Sequence, residues 1–532
     1  MSRLLTIWLD GYEDTIAVEM MDSGQLPALA SLREKSARFL LDHGSAKRTG
    51  LAAEHFSSGL SPEDAGRWSA FGFDRNSYDI RQEGARCAPF TSKMKSRTVV
   101  FDMPYFDFSL ASNAQGLTAW GAHDPGSDLA SNPAGLVDEV LERFGPYPAQ
   151  QWVYGFAWPS PERCRTMGEQ LVRGIEQRSK VALWLLKERL PDWDLGLVGV
   201  SESHSCLEGL WHGIDDRHPL HHLPSSSAAG EGIRNVYRAI DRLIGDLLAE
   251  FEDATVVVAS MHGMGPNQSD VSSMVLLPEL LFREAFGEPF LRERECWTKA
   301  PDGLPILAED ERWQVETPGF EAKGKRLRGR VSALVPKPVK TLLKQALPLE
   351  ISNSKWLRPL QWMPAARYQP YWHQMRAFAL PSYFDGRIRI NLAGREREGL
   401  VPFDDYEACC DGIQKTLEAC VDPATGDGVV DFIEFHCDGD PWDLDSSHAD
   451  MTVVWKGAPL SFEHPTIGKI GPIPYFRIGG HTGDFGMAYL KGEGIAPGDR
   501  GVRSSFDIVP TLFDLRNEQK PNRISGQSLL MS

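Results

Sequence analysis

Five of the fourteen histidines, His204, His212, His218, His221 and His222, fall within one nineteen-residue stretch. His204 and Glu208 stand four apart, so a helix would set an imidazole and a carboxylate on one face, where both can grip one ion. Ile7-Trp8-Leu9-Asp10-Gly11 places a carboxylate after an apolar run, and its glycine lets backbone and ion approach closely. Lys47-Arg48-Thr49-Gly50 sets a hydroxyl beside two cations, which makes Thr49 either a nucleophile or a plain helix cap. Ser260-Met261-His262-Gly263 and Gly479-Gly480-His481-Thr482-Gly483 each present a histidine beside glycine, a setting that suits an ion better than a packed core. Mixed imidazole and carboxylate ligands of this kind suit zinc and manganese alike.

Most of these residues follow short apolar runs. Leu4–Leu9 ends at Asp10, Thr98–Phe101 at Asp102, Leu195–Val200 at Ser201-Glu202, and Thr255–Ala259 at Ser260-Met261-His262; Met451–Trp455 is another such run. Between them Pro27–Leu41, Thr166–Arg189 and Gly232–Phe251 repeat apolar residues at spacings of three and four, which predicts helices. The alternation predicts an α/β fold with a mostly parallel central sheet flanked by helices and ligand sites beyond the carboxyl ends of its strands. Arg and Lys concentrate between Lys323 and Lys344, interrupted by Pro336 and Pro338, so residues 285–370 read as an inserted cap with a short basic helix at Val339–Leu347. A solvated surface helix is the plain reading of that segment, and a docking helix the sharper one. The expected division is thus a first core part over 1–284, the cap over 285–370 and a second core part over 371–532.

The 532 residues carry a net charge of -17, which disfavours nucleic acid as a partner and leaves an anionic substrate in need of a local cation. Eight cysteines show no CxxC pair and read as reduced thiols. The first apolar run is too short for a signal peptide, and no window approaches the length of a membrane span, so a cytoplasmic protein is expected. Oligomeric state has no sequence signal here.

The order of these segments, together with Gln25-Leu26-Pro27-Ala28-Leu29, Gly394-Arg395-Glu396 and Asp507-Ile508-Val509-Pro510-Thr511-Leu512, resembles the type I phosphodiesterase / nucleotide pyrophosphatase branch of the alkaline phosphatase superfamily. The resemblance runs from Leu4 to about Leu515 and leaves out the segment near 285–370. It implies an alkaline-phosphatase-like core, a phosphorylated small-molecule substrate, and metal-dependent hydrolysis of phosphate esters through a phospho-threonine intermediate. It also implies roles by position: Asp10, Thr49 and His262 as the nucleophile-side metal site with Thr49 the nucleophile, and His204, Glu208 and His481 as the second site. Zinc is the expected ion, with manganese as the alternative, and one or two ions are expected.

The sequence departs from that family in places. Met261 stands where the family has an aspartate, and a thioether is a poor ligand that removes one negative charge. His204 and Glu208 exchange the family's carboxylate and imidazole, and Glu202 is a further possible oxygen donor. No match exists for the family's phosphate-holding asparagine, a task open to Lys47, Arg48 or His123. Thr49-Gly50-Leu51-Ala52 lacks the Pro-x-Arg segment of sulfatases. Two rival readings stay open: a degenerate member that binds a phosphorylated ligand or protein partner without turnover, and a phospho-group transferase.

Overall fold

The computed structural model describes residues 2–124, 126–309, 311, 313, 360, 363–436 and 440–531. The chain divides into two compact units, one built from 1–70, 84–267 and 477–532, the other from 71–83 and 268–476. The described residues of the expected cap belong to the second unit; the basic helix expected at Val339–Leu347 lies outside the described residues.

The first unit holds a nine-stranded sheet in the order Gly498–Ser504, Ala37–Asp42, Gly486–Lys491, Thr255–Ser260, Leu4–Leu9, Leu195–Val200, Thr98–Phe101, Ala114–Thr118 and Ala130–Asn132. Its four middle strands, from Thr255–Ser260 to Thr98–Phe101, run parallel. They are almost continuously buried, as strands covered on both faces must be. One face carries Leu4, Trp8, Phe39, Val100, Leu197 and Val257, packed with Phe56, Phe90, Ile508, Leu512 and Phe513. Each such side chain contributes about 1.5–3 kcal/mol on burial. The other face carries Leu5, which lies near Leu186 in the extension of the helix Pro161–Leu183. That helix packs against Ser226–Glu250.

Strand direction decides where the chemistry collects. The parallel middle strands bring Asp10, Asp102, Ser201 and Met261-His262 to one edge of the sheet. Gly486–Lys491 runs antiparallel, with Met487 opposite Ser260, so the chain before it, including His481, arrives at the same edge. Ala37–Asp42 is antiparallel in turn, with Leu41 opposite Gly486, which delivers the following turn Gly44–Thr49 there too.

Two expectations need correction. Pro27–Leu41 is not one helix: the helix ends at Glu34, and Ala37–Asp42 is a strand. Ala37, Phe39 and Leu41 are buried while Leu40 and Asp42 are exposed, the period of two of a strand, which the short Lys35-Ser36 break had concealed. Met451–Trp455 is a strand, but of the second unit, whose four-stranded antiparallel sheet runs Ala377–Leu380, Gly386–Ile390, Met451–Trp455, Val430–Phe435. Within that unit Arg395 is buried in ion pairs with Asp450 at 2.7 Å and Glu396 at 3.0 Å, a structural role. The seven cysteines among the described residues are free. No described helix is long and apolar enough to cross a membrane.

Candidate metal centre

Helix Glu202–Leu210 begins one residue after its strand and sets His204 and Glu208 on one face, with His204 Nε2 3.4 Å from Glu208 Oε1. His204 Nδ1 lies 3.1 Å from Asp10 Oδ2, a meeting of charge without the alignment of a hydrogen bond. The late loop brings His481 Nε2 to 2.8 Å from His204 Nε2. His123, from the loop after Ala114–Thr118, stacks on His204 at 3.9 Å between ring centroids and places Nε2 3.5 Å from Glu208 Oε2. Its Nδ1 pairs with Ser205 Oγ at 3.0 Å. His262 packs on His481 at 4.1 Å and directs Nδ1 to Gly263 O at 2.9 Å. A carbonyl only accepts, so Nδ1 carries the proton and Nε2 of neutral His262 is a donor of electrons. The structure therefore joins the two expected metal sets through Asp10–His204 and His262–His481, and adds His123.

The charges in the centre are coupled. Burial alone would lower the pKa of His204, but Asp10 and Glu208 overcome it and raise it to about 10. Burial favours the neutral form of Glu208, yet Arg477, His123 and His204 hold its carboxyl below the usual range. Burial and the charge of His204 lower His123 to about 3, and burial lowers His262 to about 4. Arg477 donates a hydrogen bond to Glu208 Oε1. A proton on His204 thus ties together Asp10, Glu208 and His481 much as a cation would.

The donors fit a metal ion. Ligand atoms of His123, His204 and Glu208 all lie within 4.8 Å of one another, with His481 adjoining. A tetrahedral ion with bonds of about 2.0–2.1 Å needs donors spaced by about 3.3 Å. The 3.4 Å and 3.5 Å separations at Glu208 are close to that, and the 2.8 Å imidazole pair would have to open slightly. With the ion on His204 Nε2, Asp10 at Nδ1 becomes the carboxylate that orients the ring.

The remaining expected residues have other partners. Thr49 ends its turn, donating to Ala46 O at 2.8 Å and accepting from Leu51 N at 3.2 Å, while Leu51 itself caps the next helix, so Thr49 is no helix cap. Lys47 of the same turn donates to Gly483 O at 3.3 Å, tethering the Thr49 turn to the His481 loop. Arg48 is half-buried on that turn. Met261 is buried in the apolar core with Trp8 and Phe56, where it has no ligand role. Glu202 is not a donor to the cluster: its oxygens receive Arg178 Nε at 3.0 and 3.1 Å and the Tyr147 hydroxyl at 3.1 Å. Arg178 also donates to Asp102 Oδ2 at 2.7 Å, and Asp102 accepts from Trp120 N and Gly121 N, just before His123. Asp102 was marked only as the polar end of its strand and Arg178 went unseen, although Arg178 falls on the buried stripe Leu171, Ile175, Val181, Ala182 of its helix.

Gly11 shows how tightly the cluster is built. It adopts φ +54°, and a Cβ there would lie 2.8 Å from His204 Cβ. Gly11→Ala is expected to displace His204; if the cluster holds zinc, affinity should fall about 10- to 100-fold, the scale of orienting contacts around a metal, as read by competition with a zinc chelator. Unchanged affinity would show that His204 bears no ion.

Buried neutral histidines also set the acid limit of this unit. Burial lowers His55 and His212 to about 3, against about 6.5 in the unfolded chain. Between those values the unfolded state binds protons that the native state refuses, so stability falls as pH drops below about 6.5 and levels off near the folded pKa. The slope is about 1.4 kcal/mol per pH unit for each such histidine. Urea midpoints of chelator-treated protein should therefore fall steeply from neutral pH to mild acid; a flat profile would contradict the burial of these rings as neutral groups.

No family model matches the chain, and no curated protein matches it. Among solved structures it is similar to phosphonoacetate hydrolase from Sinorhizobium meliloti 1021 in complex with phosphonoformate, at 14% identity and TM-score 0.48, covering 96% of this chain and 94% of that one. It is also similar to human ectonucleotide pyrophosphatase/phosphodiesterase 5, at 10% identity and TM-score 0.46 over 100% and 98% of the two chains. An inactive variant of the murine ectonucleotide pyrophosphatase/phosphodiesterase 5 in complex with AMP gives 10% identity and TM-score 0.48 over 100% and 98%.

Proposed function

We propose that this chain is a metal-dependent hydrolase of phosphate esters that uses Thr49 as nucleophile and holds one divalent ion, zinc before manganese, on His123, His204, Glu208 and His481. The observation that carries the proposal is the convergence of His123, His204 and Glu208 within 4.8 Å of one another, with His481 Nε2 adjoining His204 Nε2 at 2.8 Å. A bound ion would supply Lewis acidity and positive charge to the phosphoryl oxygens. Asp10 orients His204 through Nδ1, and Arg477 fixes Glu208. Thr49 Oγ must leave Ala46 O to attack phosphorus; its proton passes through solvent to the expelled oxygen, which leaves as the alcohol as the phospho-threonine forms, and water then cleaves that P–O bond, giving phosphate (or a phosphate monoester from a diester) and restoring the hydroxyl. Lys47 and Arg48, on the same turn, would supply positive charge for the incoming anion. His123, expected to hold phosphate, is reassigned to the ion. Reduced cysteines favour a cytoplasmic setting for this reaction.

One ion, not two, is expected. Met261 offers no carboxylate on the nucleophile side, leaving Asp10, Thr49 and His262 as the set there, and Asp10 already faces His204. Zinc titration of chelator-treated protein followed by elemental analysis should give one tightly held ion per chain, with hydrolysis of an aryl phosphate ester appearing as it binds. Two tight ions would overturn the assignment of Asp10, and an inert, metal-free protein would overturn the enzyme. The buried Met261 and the Arg477–Glu208 pair favour one rival, a member that binds a phosphorylated ligand without turnover.

A further inference from the structure

We infer that a cavity at the base of the Thr49 turn is an effector site for a small zwitterion, an α-amino acid with an apolar side chain; its effect on turnover rests on the reading of Thr49 as nucleophile. The strands Ala37–Asp42 and Gly498–Ser504 run parallel and end side by side, with Ser504 opposite Asp42. Beyond their carboxyl ends, where α/β sheets receive ligands, lies a cavity of about 520 Å³. That volume is in the range of small-molecule pockets. Asp42, His43, Ala46, Glu63, Arg503 and Phe506 are among the residues that line it, all of the first unit. Its inner wall is buried His43 stacked on Phe506 at 5.0 Å between ring centroids. Ser505 Oγ at 2.6 Å and His55 Nδ1 at 3.1 Å hold the two nitrogens of that ring. The His43 ring is also 6.3 Å from that of His262, so the cavity lies one ring away from the histidine that packs on His481.

The charges of the lining select the ligand. Arg503 is 26% exposed, meets Asp507 Oδ2 at 3.4 Å, and makes no hydrogen bond among the described residues. A guanidinium has five N–H donors in a planar fork, so this one is open to a carboxylate. Asp42 Oδ1 accepts from Gly44 N at 2.8 Å, and Glu63 has no side-chain partner among the described residues. Arg503 is offset by Asp507, so Asp42 and Glu63 leave the cavity negative, which disfavours phosphate or any simple anion. The occupant must bring an ammonium for these two carboxylates and an acceptor for Arg503, and one small molecule does both as a zwitterion. Val502, 50% exposed, and the ring of Phe506 supply apolar contact for its side chain. The coupling to chemistry runs through Ala46, whose carbonyl accepts from Thr49 Oγ at 2.8 Å. A ligand seated against Gly44–Ala46 stabilises the turn as it stands, and with it the hydrogen bond that Thr49 must release to attack. Occupancy therefore slows turnover.

The test titrates L-phenylalanine and L-leucine into wild type, Arg503→Gln and Glu63→Gln by saturation-transfer NMR at neutral pH. Phenethylamine, which lacks the carboxylate, and 3-phenylpropionate, which lacks the ammonium, are run alongside. Wild type should bind at least one of the two amino acids with Kd at or below about 1 mM. Each variant, and each single-charge analogue, should bind about 10-fold more weakly, the scale of one charge-assisted hydrogen bond. Glu63→Gln changes an exposed side chain, so it guards against a folding defect from Arg503→Gln. With zinc-loaded protein, the amino acid should lower kcat on an aryl phosphate ester about fivefold or more. Glu63→Gln should keep the basal rate and escape that inhibition. No binding of either amino acid, or affinities of both variants within about twofold of wild type, would overturn the inference. Binding without any fall in kcat would overturn the coupling to Thr49. Wild type that hydrolyses esters but binds neither amino acid sinks this inference alone, whereas wild type that binds one through Arg503 and Glu63 and hydrolyses nothing upholds the site and sinks the parent proposal.

Discussion

Thr49→Ala is expected to lose about 10³- to 10⁶-fold in turnover of aryl phosphate esters, the range seen when a covalent nucleophile is removed. The substitution deletes an oxygen whose two hydrogen bonds are local to its turn, so the fold has little stake in it. Replacing the hydroxyl should cost no more than about 1 kcal/mol of stability. Zinc affinity should stay near wild type, because the four proposed ligands come from other segments. The check is single-turnover kinetics with a chromogenic ester, together with trapping of phosphorylated protein at low pH. Equal rates in mutant and wild type would transfer the chain to the binding-protein reading. A mutant that loses zinc as well would place Thr49 among the ligands, as the nucleophile-side set of Asp10, Thr49 and His262 requires.

The second large effect concerns stability. Arg178, Asp102 and Glu202 are fully buried, and the guanidinium spans both carboxylates. Arg178→Ala leaves two desolvated carboxylates without a countercharge, for a cost of about 3–5 kcal/mol. The loss should appear as a lower denaturant midpoint of the first unit, and it should be largely recovered when Asp102→Asn and Glu202→Gln neutralise the orphaned charges. A midpoint within error of wild type for Arg178→Ala would mean that water or a rearrangement satisfies the carboxylates. Function should suffer along with stability. Asp102 anchors the Trp120-Gly121 backbone just before His123, and Glu202 opens the helix that carries His204 and Glu208, so the network sets two of the three segments that form the centre.

Residues that act through local pattern were readable in the chain. Strands buried on both faces become continuous apolar runs, so Leu4–Leu9, Leu195–Val200 and Thr255–Ser260 announce both themselves and the polar residues at their ends. The i,i+4 pair His204 and Glu208 followed from helix geometry alone. The strand Ala37–Asp42 was lost in a supposed helix because its apolar spacing admits either period over so few residues. His123 was singled out only as a candidate phosphate holder: it lies in a loop, and only the pairing of Ala114–Thr118 with Thr98–Phe101 brings that loop to the same edge as His204.

Local periodicity and residue chemistry by themselves determined the four parallel middle strands of the sheet and the polar residues at their ends. Tertiary structure alone decided the partners. Asp10 faces His204 across 194 positions of chain, Arg477 faces Glu208 across 269, and Arg178 reaches Asp102 across 76. The reason is physical: pairing energy depends on distance in space, and separations of that length leave no trace in local periodicity. Which carboxylate faces an imidazole and which is neutralised by arginine is settled only when the strand ends meet.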